Sequence, residues 1–184
     1  ACGFGIVVID LERKEVKDTY YVGTGGSYIP VYDIAIGQKY IYAATAEGLK
    51  RAPVSGAFLN LAHVWTTDTA QLIGMHVNNL VLVDDRLFVS GYSDEPQQVS
   101  LFVLNDSDVF NLVVKGNILN FDFCAPYLTL VYGDKVVWYD FNFQPVDSVE
   151  NWTYGPLEPL DAEVASDGAT LFVGHVWAGL IMRK

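Results

Sequence analysis

The chain has 184 residues, with 22 Asp and Glu against 11 Lys and Arg, so its formal net charge is −11. That surplus of carboxylate disfavours nucleic acid, whose phosphates need Lys and Arg in excess, and disfavours docking on bare anionic lipid. A hydrophobic fraction of 51% with 14% aromatics points to a packed, sheet-rich body, and no apolar run reaches the roughly 18 residues of a membrane-spanning helix.

From the amino terminus, Ala1 to Gly5 reads as the end of a strand and its turn. Ile6 to Leu11 and Glu15 to Val22 alternate as two strands around the charged turn Glu12-Arg13-Lys14, and Gly23 to Ser27 reads as a flexible link. Three strands follow in Val31 to Ile36, Tyr40 to Thr45 and Leu49 to Val54, a β-meander turning at Gly37-Gln38-Lys39 and Glu47-Gly48. The stretch FLNLAHVW fits either an irregular outer strand or a short helical turn.

The meander then returns. Val77 to Val83, Arg86 to Tyr92, Val99 to Leu104 and Val109 to Lys115 form one unit, and Ile118 to Cys124, Tyr127 to Tyr132, Lys135 to Phe141 and Val146 to Asn151 form the next. Asp161 to Ala165, Thr170 to His175 and Gly179 to Arg183 form a last, incomplete one. With the second strand of each unit as a ruler, Ile41, Leu87, Leu128 and Leu171 correspond, spaced by 41 to 46 residues. Four short strands at this period are the mark of a β-propeller blade, so the fold class expected is all-β, a propeller segment of about four blades of four-stranded antiparallel sheets. The expected divisions are a half-blade at 1–27 and blades at 28–76, 77–117, 118–158 and 159–184. The two raw ends fit either a small closed ring or a segment of a larger one, and the segment is the reading adopted.

Eight residues before each ruler position stand Asp33, Asn79, Asn120 and Glu163. At one level of the innermost strands, such side chains could bind a cation, water or a sugar hydroxyl near the channel mouth. They could equally satisfy backbone groups at the start of the strand. No motif implies a cofactor. His63, His76 and His175 have no metal-ligand spacing, no G-x-S-x-G elbow occurs, and Asn105-Asp106-Ser107-Asp108 reads as a hairpin turn because an EF-hand's Gly and distal Glu are missing. Cys2 and Cys124 are too few for a disulfide framework or zinc site and are read as free thiols, Cys124 buried in a strand. Asn105-Asp106-Ser107 and Asn151-Trp152-Thr153 match the glycosylation pattern. Trp65, Trp152, Trp177, Tyr28 and Tyr154 fall in or beside loops, where they could anchor a partner, stack on a sugar or fill gaps between blades.

The phrases CGFGIVVIDLERKEVKDTYYVGTGG, VYDIAI and IYAATAEGLKRAP resemble the PorZ N-terminal β-propeller family of the type IX (Por) secretion system of Bacteroidetes, most strongly over Ala1 to Pro53. Propellers of periplasmic two-component regulators share the element I-Y-A-A-T-x-E-G-L. The resemblance implies an exported protein of the periplasm or outer-membrane surface, with two propellers and a carboxy-terminal domain. It implies work beside a sortase-like PorU, processing secreted cargo and joining it to anionic lipopolysaccharide. It supplies no catalytic residues, so a non-enzymatic scaffold is expected, with a ligand-sensing propeller as the alternative.

Overall fold

The computed structural model describes the chain apart from residues 56, 57, 68–71, 73, 94–97, 106, 107, 151–158, 176–178 and 184. Strands β1 (Ile6–Asp10) and β2 (Glu15–Tyr20) pair as a hairpin. A second sheet runs β3 (Val31–Ile36), β4 (Tyr40–Thr45), β5 (Gly48–Pro53), β6 (Thr66–Thr67), and a third runs β7 (His76–Val83), β8 (Arg86–Tyr92), β9 (Val99–Leu104), β10 (Phe110–Gly116). The fourth holds β11 (Ile118–Cys124), β12 (Tyr127–Tyr132), β13 (Lys135–Tyr139) and β14 (Pro145–Glu150). The fifth holds β15 (Pro159–Val164), β16 (Leu171–His175) and β17 (Gly179–Arg183). In every sheet the neighbours in space are the neighbours in sequence, so the four larger sheets are the meanders expected of propeller blades. The ambiguous FLNLAHVW stretch is mainly a short helical turn, a 3-10 turn at Ala62–Val64, ahead of the two-residue β6.

Two compact units make up the chain, residues 1–96 with 101–112, and residues 97–100 with 113–184. In the first, the second sheet is covered on both faces. Ala43, Ala52 and Val31 meet Ile6, Val22 and Trp65 on one side, while Ala35, Tyr42, Ala44 and Leu49 meet Val77, Leu80, Leu87 and Val89 on the other. This explains why β4 departs from alternation and is buried from Tyr42 through Thr45: a strand with two dry faces has no polar side to show. In the second unit, Val131, Val136, Trp138 and Val149 pack on Ala162, Val164, Leu171 and Val173. Truncating one of these buried aliphatic side chains costs about 2–5 kcal/mol.

The element T-A-E-G-L-K at Thr45 to Lys50 is set by local chemistry. The Thr45 hydroxyl donates to the Gly48 carbonyl at 2.7 Å and accepts from the Glu47 amide at 3.1 Å, which closes the β4–β5 turn. Gly48 has φ +101°, and a Cβ there would lie 2.9 Å from the Leu72 carbonyl oxygen, so only glycine fits. Glu47 then reaches back to Thr24, accepting from its amide at 3.0 Å and its hydroxyl at 2.7 Å. The Lys50 ammonium, on a residue only 2% exposed, lies 2.9 Å from Glu47 and donates to Thr67 at 2.9 Å and Thr24 at 3.2 Å. The link after β2, expected to be flexible, is therefore a 3-10 turn at Thr24–Gly26 tied to the second sheet by a buried charge network.

Burial alone would raise the Glu47 carboxyl, but hydrogen bonds from the Thr24 hydroxyl, Lys50 and the Thr24 amide outweigh it and hold the group below its ordinary value of 4.5. A depressed carboxylate contributes stability that is complete above its unfolded value and lost as pH falls through the folded one. Glu47→Gln is expected to cost about 1–3 kcal/mol in urea unfolding near neutral pH, with the gap to the parent chain closing in acid. A gap that is unchanged in acid would refute the network's ionic character.

Candidate functional site

The four inner strands share one irregularity. In β3, β7, β11 and β15 the pairing slips by one residue, between Val31 and Asp33, Val77 and Asn79, Ile118 and Asn120, and Pro159 and Asp161. A bulge leaves an extra residue unpaired and re-aims its neighbours, and the residue just after it is polar in all four sheets. Asp33 opposes Ala44, Asn79 opposes Ser90, Asn120 opposes Val131 and Asp161 opposes Gly174.

Three of the expected positions therefore occupy the same register position within their own sheets, and the fourth does not. The ruler residue pairs with a partner five positions earlier in three sheets (Ile36, Leu82, Phe123) but seven earlier in the last, where Leu171 pairs with Val164. The cause is a longer turn, Ala165 to Thr170, in which the Asp167 carboxylate accepts from the amides of Ala169 and Thr170, both at 2.9 Å. Counting back eight residues lands on Glu163, opposite Phe172. The counterpart of Asp33 is Asp161. Counting forward from the start of β15 would have found it.

At this level the side chains hold backbone. Asp33 Oδ1 accepts from the amide of Ile34 at 2.8 Å, and its Oδ2 accepts from the amide of Leu80, on the inner strand of the next sheet, at 2.9 Å. In the second unit, Asn120 Oδ1 accepts from the amide of Phe121 at 2.8 Å while its Nδ2 donates to Asp161 Oδ1 at 3.0 Å. Asp161 Oδ1 also accepts from the amide of Ala162 at 2.9 Å. A short polar side chain thus closes its own bulge and fastens one inner strand to the next within each unit.

Glu163, exposed, stands beside Cys124 instead. Burial first, then the Glu163 carboxylate and Asp122, push the Cys124 thiol up, away from the thiolate that a nucleophile needs. Cys2 and Cys124 are free, and Cys124 is half-buried rather than buried. Of the loop aromatics, Trp65 is 6% exposed and donates to the Leu59 carbonyl at 2.8 Å, so it fills the space between hairpin and second sheet. Tyr28 is 71% exposed and lies against Tyr21 with ring centroids 4.5 Å apart. Trp152, Tyr154 and Trp177, both glycosylation patterns in whole or part, and the centre of the Asn105 to Asp108 turn lie outside the described residues. Among the described residues no group of three or more His, Cys, Asp or Glu side chains is placed to hold a metal ion, and no helix is long and apolar enough to cross a membrane.

Fold and site together define a β-propeller segment in which Asp33, Asn120 and Asp161 on the inner strands bind backbone amides, and Asn120 binds Asp161. Residues 1–66 match the family model described as the TSS9 PorZ N-terminal beta-propeller domain, so over that span the chain is similar to that family. Among solved structures, PorZ, a surface component of the type-IX secretion system of Porphyromonas gingivalis, superposes with a TM-score of 0.67 at 14% identity over 99% of this chain and 22% of its own. The extracellular domain assigned to a one-component system of B. thetaiotaomicron gives 0.65 at 17% identity, over 99% of this chain and 25% of its own. The Cps50 (Swd1) β-propeller domain of Myceliophteria thermophila gives 0.66 at 12% identity, over 96% and 62%. The chain thus spans about a fifth to a quarter of the first two. At these identities the likeness is one of fold. No curated protein matches in sequence.

The bulge-level bonds separate a fastening role from a spare one. Asp33→Ala, which orphans two amides, is expected to lower stability by about 1–3 kcal/mol, whereas Glu163→Ala stays within about 0.5 kcal/mol. Urea unfolding of the two variants measures both, and equal effects would contradict the assignment.

Proposed function

We propose that this chain is a non-catalytic docking platform within an exported, cell-surface protein of type IX secretion. It holds protein partners, a sortase-like PorU among them, so that secreted cargo is processed and attached to anionic lipopolysaccharide. The observation that carries this reading is the match of residues 1–66 to the PorZ N-terminal propeller family. The chemistry of the inner strands supports it. Asp33, Asn120 and Asp161 bind backbone and one another, and the one cysteine beside a carboxylate is held as the thiol. Propeller blades packed on both faces present turns at fixed spacing, which suits holding a partner and not closing over a substrate.

Sheet surfaces of net negative charge leave the glycolipid contact to a local site, because an anionic polysaccharide meets repulsion elsewhere on this chain. A ligand-sensing propeller is the second reading, favoured by the likeness to the B. thetaiotaomicron extracellular domain. The two part on loss of function. Removing residues 1–184 from the whole protein in its native cell is expected to leave cargo unprocessed at the surface, read by immunoblot of the outer-membrane fraction. Normal processing with altered transcription of a carbohydrate-use operon would favour the sensor and overturn the scaffold.

A further inference from the structure

Within the first unit a cleft of about 550 Å³ opens beside the turns that join β3 to β4 and β7 to β8. It lies apart from the bulge level and plays no part in the secretion reading. The two turns are locked together across it, since the Gln38 side-chain amide donates to Asp85 Oδ2 at 2.8 Å. On another wall, Asp108 accepts a two-pronged pair at 2.9 and 3.0 Å from Arg51, which stands behind the lining with its guanidinium 4.5 Å from the centroid of the Tyr40 ring. Tyr40 and Tyr42, with ring centroids 6.0 Å apart, stand with Leu82 and Leu104 as the apolar part of the lining.

The charges of this cleft cancel. Arg51 pairs with Asp108, whose carboxyl is held below its ordinary value chiefly by that hydrogen bond, and the ammonium of Lys39 shares the lining with the Asp85 carboxylate. An anion entering meets two carboxylates, and a cation meets the Lys39 ammonium and an Asp108 carboxylate already neutralised by Arg51 behind it. Neither has a net field to gain, on a chain that is otherwise strongly acidic. What remains is a side-chain amide, a carboxylate and a phenol at the rim, above aromatic and aliphatic walls. Planar amide and carboxylate groups bond adjacent hydroxyls, and the C–H face of a pyranose lies against an apolar wall.

We propose that this cleft is a binding site for a neutral saccharide of two or three rings, oriented by Gln38 and Asp85 and seated against Tyr40. The size agrees with a ligand of that class, since small-molecule clefts run from about 300 to 1,000 Å³. The bond between Gln38 and Asp85 fixes both groups before the ligand arrives, which lowers the ordering cost of binding.

Saturation-transfer difference NMR tests this on the whole protein that carries the chain, with maltotriose, cellotriose and chitotriose as probes and triglycine as a charged control. Asp85 has φ 62°, a conformation that asparagine also accepts, so Asp85→Asn keeps the turn. Gln38→Ala, on an exposed turn, serves as the second variant. Saturable transfer from at least one of the three sugars, weakened about 10-fold in both variants, is the expected result. The proposal falls if none of the three shows transfer at about 20 mM, if transfer is undiminished in the variants, or if only triglycine shows it. Loss of the sugar site with cargo processing intact would leave the secretion reading standing, and the reverse outcome would leave the cleft standing.

Discussion

Stacked sheets have a recurring difficulty at their inner strands, where the chain must turn along the next sheet without leaving an amide unpaired. Here each inner strand carries a one-residue bulge, and in β3, β11 and β15 the polar side chain that follows accepts a neighbouring amide. Asp33 takes the amide of Ile34 and that of Leu80 together, and Asn120 and Asp161 join β11 to β15. Because the side chains are short, the strands they link must be close, and small residues such as Ala43, Ala44 and Ala52 let the faces approach. Burial drives the packing, while the bulge-level bonds fix its register.

Much of this was legible in the sequence, and the part that was not has a physical cause. Period-two alternation, turn residues and the spacing of Ile41, Leu87, Leu128 and Leu171 placed the strands within a residue or two, because each sheet is a meander of local pairings. The level of the polar residues was legible only where turn length was constant. An Asp167-capped turn two residues longer moved the equivalent position from Glu163 to Asp161. The link at Gly23 to Ser27 read as flexible from its glycines, since composition carries no trace of a carboxylate arriving from residue 47. The cleft beside Gln38 and Asp85 was equally invisible, being made by groups 47 residues apart.

The same physics bears on function. Asp33 and Asn120, two of the polar side chains expected at the channel mouth, hold backbone amides, as the alternative reading of those positions expects. The element Thr45 to Lys50, inside the span that matches the PorZ N-terminal family model, owes its form to a turn hydroxyl, a glycine that nothing can replace and an ion pair whose lysine is buried. A motif built this way specifies geometry.

Native-state hydrogen exchange at the amides of Ile34 and Leu80 tests the central claim most directly, because both are held by one carboxylate and by nothing outside the first unit. If the bulge-level bonds fasten the inner strands, both amides exchange only through opening of the whole unit, as slowly as the centre of β4, and both lose that protection together in Asp33→Ala. Exchange as fast as that of the exposed turn at Glu12 to Lys14, or protection of Leu80 that survives the substitution, would contradict it.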